Sequence, residues 1–118
     1  MLRTLHKISS VLLVALGVVH TALTPVFYGR FSHNALWFAG SGLAMIFVGL
    51  LNLTLGRDVG RDRVVRLFCY AANLLTVIFG FLMVAVNREP QVIFGFVLIV
   101  LMTITAFTLG GAHNNATG

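Results

Sequence analysis

Four long apolar runs, at residues 8–28, 35–55, 64–86 and 91–109, limit what this chain can fold into. A helix needs about 20 residues to cross the hydrocarbon core of a bilayer, and each run is close to that length. Inside lipid, every backbone N–H and C=O must be satisfied within the structure, so runs of this kind are selected as helices. The sequence therefore predicts an all-α membrane protein: a four-helix transmembrane bundle with short connecting loops, one domain over residues 1–118. Residues 110–118, GGAHNNATG, are expected to form a flexible tail after the last span.

Composition supports this class. Of 118 residues, 58% are hydrophobic and 9% are charged, whereas a soluble domain carries about 25% charged residues. So little polar surface does not cover a water-soluble monomer. Arg3 and Lys7 precede the first run as in a signal sequence. No small-x-small cleavage site leads into a polar domain, so a retained first span is expected. The single cysteine, Cys69, lies inside the third run and permits no intrachain disulfide.

The net charge is +5, but the cations flank apolar runs and form no sustained basic face, which argues against nucleic acid as a partner. The densest stretch is the centre, GRDVGRDRVVR at 56–66, holding Arg57, Arg61, Arg63 and Arg66 beside Asp58 and Asp62. These arginines are expected to meet anionic headgroups and fix the orientation. With the N-terminus inside, Arg3, Lys7 and the four central arginines are cytoplasmic, and Arg30 and Arg88 are outside. This six-to-two bias predicts an N-in/C-in, multi-pass protein of the cell inner (cytoplasmic) membrane.

Several residues suggest how the helices pack. Gly17 and Thr21 form a small-xxx-small pair, and Gly42 and Gly49 are seven apart and share a helix face. Asn73 and Thr76, with Cys69 and Gly80, make a small or polar stripe on the third helix, and Ser41 sits between two glycines in the second. Asn73, Thr76 and Ser41 are read as helix-packing polar residues, Asn73 as an interhelical clamp. Pro25 is expected to kink or end the first helix, Ser32 or Asn34 to cap the second, and Pro90 to open the fourth.

His20 is the residue most suggestive of function. It lies deep in the first span, and titratable groups at such depth are functional-site candidates by default. His33 is placed in the loop that follows. With Thr24, Arg30, Trp37, Arg88 and Glu89 on the same predicted side, the sequence suggests an outward-opening, polar-rimmed pocket. His6 and His113 fall on the opposite side.

Three uses follow. The first is a binding or accessory module for a lipid-like or hydrophobic ligand, or for a partner membrane protein; a homodimer is compatible with the small residues on several helices. The second is a small proton-linked transporter using His20, although no acid lies within a span to form a carboxylate relay. The third is haem or metal ligation by His20 and His33, although a histidine pair across two helices is not evident in the sequence. Ser9, Ser10, Ser32, Ser41 and Cys69 lack an evident histidine–acid partner set, so enzyme activity is not expected.

Overall fold

The computed structural model describes residues 1–116; it is all-helical, with no strand among the described residues. Helix α1 spans Leu2–Ala22, a short α2 Thr24–Phe27, α3 His33–Leu55, α4 Arg63–Val86 and α5 Pro90–Ala116, with a 3₁₀ turn at Asp58–Arg61 between α3 and α4. Four helical segments, α1 with α2, α3, α4 and α5, are long and apolar enough to cross a membrane. They form an elongated bundle of 55 × 24 × 22 Å.

Local chemistry sets the helix ends. Pro25 lacks the N–H that would bond Thr21, and its ring would crowd that carbonyl. The first helix accordingly breaks at Leu23 and restarts as α2, with Pro25 in its first turn. Ser32 caps α3, its Oγ accepting the Ala35 N–H at 3.2 Å. Asp62 caps α4, one carboxylate oxygen accepting the N–H groups of Val64 at 2.7 Å and Val65 at 3.3 Å. Asp62 thus anchors a helix start that the macrodipole favours for an anion.

Three boundaries differ from the sequence expectation. The first helix begins at Leu2 rather than at 8, because Arg3 and Lys7 lie on its exposed side while His6 turns inward. His33 is the first residue of α3 and not part of the loop. The last helix runs past 109 to Ala116, so the expected flexible tail is helical through that residue; 117–118 lie outside the described residues. The C-terminal glycines Gly110 and Gly111 continue the ladder, and Gly110 is held under Tyr70.

Around the bundle the order is α1, α3, α4, α5. Helix α1 packs on α3 and α5, and α4 packs on α5 and α3; α1 and α4 stand on a diagonal. The closest crossing is α1 on α3. A Cβ on Gly17 would lie 2.6 Å from the Gly42 carbonyl oxygen, and one on Gly49 would lie 2.9 Å from the Ser10 carbonyl oxygen. Such backbone approach lets dispersion hold helices together where lipid removes the hydrophobic driving force. Leu13, Leu98, Ile99 and Met102 fill the middle, and Leu55, Cys69 and Ala106 a second apolar cluster nearer the 3₁₀ turn. That turn packs on α3, α4 and α5 and closes this end, with Gly60 against the Leu55 backbone. The turn, the start of α1 and the last turns of α5 share one end, the basic end; the opposite one is the far end.

Candidate functional site

At the far end, the break at Leu23 and the tight connection Tyr28–Ser32 fold the chain back on itself. The fold leaves a shallow open hollow of about 360 Å³ lined by Thr24, Pro25, Tyr28, Gly29, Arg30, Phe31 and Ala35. Its walls are apolar or aromatic, and Arg30 supplies the one charged side chain in that lining. Behind it, His20 stacks on Phe38 with ring centroids 3.7 Å apart and planes 21° from parallel. Phe38 also meets Phe27 edge-on and Tyr28 at a tilt. The Ser41 hydroxyl donates to the Phe38 carbonyl at 2.7 Å, so its oxygen is free to accept from His20 Nε2–H at 3.0 Å. Thr24 donates to the His20 carbonyl at 3.4 Å.

Of the sequence-chosen residues, Thr24 and Arg30 share the hollow, and His20 and Ser41 form an α1–α3 contact beside it. His33 and Trp37 pair with each other, the indole N–H donating to His33 Nε2 at 2.7 Å. Trp37 remains 65% exposed, as an aromatic at a membrane interface is. Arg88 and Glu89 are exposed in the third connection; the Glu89 carboxylate accepts from Gln91, and neither residue lines the hollow. His20 and His33 are held by different partners and do not converge on one point. Among the described residues no group of three or more His, Cys, Asp or Glu side chains gathers to hold a metal ion.

The basic end holds a second constellation, and sequence reasoning missed its centre. His6 is 2% exposed. Its Nε2–H donates to the Asn52 carbonyl on α3 at 2.9 Å, and its Nδ1 lies 2.8 Å from the Thr105 hydroxyl on α5. Asn52 and Asn73 join α3 to α4 by a reciprocal amide pair: Asn52 Nδ2 donates to Asn73 Oδ1 at 2.6 Å, and Asn73 Nδ2 to Asn52 Oδ1 at 2.9 Å. The Cys69 thiol donates to the same Asn52 oxygen at 3.4 Å. Ser9 and Ser10 turn their hydroxyls back to the His6 carbonyl at 3.0 and 2.8 Å. One polar node thus joins all four long helices, while the Thr76 hydroxyl bonds only within its own helix, to Ala72.

Every buried side-chain nitrogen and oxygen among the described residues has a hydrogen-bond partner, as a dry interior requires. A usable signal for the node did exist in the sequence. His6 and Ser10 are one turn apart, and two asparagines, Asn52 and Asn73, lie in apolar runs near the same predicted end. A first helix beginning at 8 leaves His6 outside the bundle, whereas α1 begins at Leu2 and buries it. The central arginines occupy this end as well; Arg57, Arg61 and Arg63 are exposed and Arg66 is half-buried.

Comparison with protein-family models, curated proteins and solved structures finds no match for this chain.

Proposed function

We propose that the protein is a multi-pass, N-in/C-in protein of the cell inner membrane that serves as a binding or accessory module, taking an anionic lipid-like molecule at the far-end hollow. The observation that carries this reading is a single cation, Arg30, set over a wall of Pro25, Tyr28, Phe31 and Ala35. An amphiphile with an anionic head and an apolar chain matches that surface: the guanidinium takes the head through charge-assisted hydrogen bonds, and the chain lies along the apolar residues. Thr24 and Tyr28 add hydroxyls for a head group's oxygens.

Proton-linked transport finds less support. A route from His20 toward the basic end along the α1–α3 seam meets fully buried Leu13 and the close Gly17–Gly42 and Gly49–Ser10 backbone contacts. Such packing leaves no room for a water file. His20 Nε2 is also engaged by Ser41.

Native mass spectrometry of the protein extracted in mild detergent tests the reading. A charge-assisted hydrogen bond is worth about 1.5–3 kcal/mol, so Arg30→Gln is expected to lower retention of an anionic phospholipid roughly tenfold. Arg88→Gln, off the hollow, is expected to leave retention unchanged. Equal retention by the wild type and Arg30→Gln removes the hollow as the binding site.

A further inference from the structure

We propose that His6 is a proton-binding site, at which uptake of one proton weakens the junction of α1, α3 and α5 at the basic end. Asn52 offers His6 a backbone carbonyl, which only accepts, so Nε2 carries a hydrogen in either charge state of the ring. The other ring nitrogen faces a hydroxyl with two available acceptors: Thr105 Oγ1 lies 2.8 Å from His6 Nδ1 and 2.9 Å from the Met102 carbonyl.

That hydroxyl serves both forms. With a neutral ring, Thr105 donates to Nδ1. With a protonated ring, Nδ1–H donates to Thr105 Oγ1, and the hydroxyl hydrogen turns to Met102. The protonated arrangement keeps every bond of the neutral one in kind and adds the Thr105–Met102 bond, and no heavy atom has to move. A proton can therefore bind without leaving a donor or acceptor orphaned, which is uncommon for a side chain this deeply enclosed.

Charge is not balanced in the same way. Among the elements packed at this point, α3 presents Asn52, α5 presents Thr105 and Met102, and α4 reaches it only through Asn52, with Asn73 and the neutral Cys69 thiol behind. Tyr70 stacks on Phe107, and Arg66 lies one turn before it. On α1 itself the neighbouring charges are the cations Arg3 and Lys7, both exposed. The three acids of the chain are Asp58 and Asp62 around the 3₁₀ turn and Glu89 in the third connection, all exposed. Among the described residues no carboxylate faces His6, so a bound proton leaves an uncompensated cation at the junction. The relief available is to let water or headgroups reach the ring, and that means opening the junction.

The test follows both the ring and the fold as pH is lowered from about 8 to about 4, past the range of about pH 5–8 in which an unperturbed histidine changes charge. In protein labelled with ¹⁵N-histidine and reconstituted in lipid nanodiscs, the His6 ring is expected to pass from a neutral Nε2–H tautomer to a doubly protonated ring as pH falls. Thermal stability is expected to fall over the same interval. Substituting His6→Asn removes that step in stability, and His20→Asn keeps it. Should His6→Asn fail to fold, Thr105→Val serves instead: it takes away the swivelling hydroxyl and is expected to shift the midpoint of the His6 titration. His6 ring signals that stay constant over the range, or a stability step that survives His6→Asn, overturn the proposal.

Discussion

Asn52 shows how much one side chain is asked to do in a dry interior. Its amide bonds Asn73 twice, accepts from the Cys69 thiol and donates to Val48, while its backbone carbonyl holds His6. Interhelical hydrogen bonds in membranes average about 0.6 kcal/mol, with the best near 1.7. Stranding a buried partner costs more, about 1–3 kcal/mol. Asn73→Leu is therefore expected to destabilise the bundle by about 1–3 kcal/mol, because Asn52 loses both bonds to the Asn73 amide and keeps only Val48 and the weak Cys69 thiol. Replacing both asparagines by leucine is expected to cost less than the two single losses added together. Equilibrium unfolding in detergent mixtures measures all three variants, and strict additivity contradicts the pairing. At this scale the sequence was half legible. Asn73 reads as a clamp from its place in a span, but its partner is 21 residues away on another helix, and nothing local names it.

Among the elements, the α1–α3 crossing depends on glycine as a matter of space. A Cβ on Gly42 would lie 2.9 Å from the Gly17 carbonyl oxygen and would also run into Thr21 Oγ1. The carbonyl belongs to the backbone and cannot turn aside, so the helices must separate. Gly40, two residues earlier on the same helix, has nothing within 4 Å of such an atom. Gly42→Ala is expected to cost about 1–3 kcal/mol, in the range of other overpacking changes, and Gly40→Ala to leave the melting temperature near that of the wild type. Comparable losses at both positions would show that helix propensity, not the crossing, governs these sites. The small residues of this seam could be read from their spacing. Helix starts were less legible: charged residues at 3 and 7 obscured a turn of helix whose inward face carries His6.

For the whole molecule, the proposed N-in/C-in orientation makes a prediction about which end is reached from outside. A Cys69→Ser background keeps a donor toward Asn52 and frees the chain of its native thiol. Single cysteines then report each end: Phe31→Cys at the far end, where Phe31 is 88% exposed, and Val59→Cys in the 3₁₀ turn, where Val59 is 57% exposed. On intact cells an impermeant maleimide is expected to label the first and to reach the second only after permeabilisation. The reverse pattern removes the N-in/C-in orientation and moves the Arg30 hollow to the cytoplasmic side. The Lys/Arg bias of six to two rests on residue positions alone, and helix packing carries no information about orientation.

What the sequence determined by itself is the set of long helices and the short turns between them. Helix formation in lipid depends on properties each segment carries alone: its length, its apolar content and its ability to satisfy its own backbone. The proline break at Pro25 and the caps at Ser32 and Asp62 belong to the same class, since their partners are at most a turn away. Tertiary structure decided which polar groups meet. His6 finds Asn52 across 46 residues and Thr105 across 99. Those contacts exist because an unpaired polar atom is costly in a dry interior, and that cost is assigned only once the helices have packed.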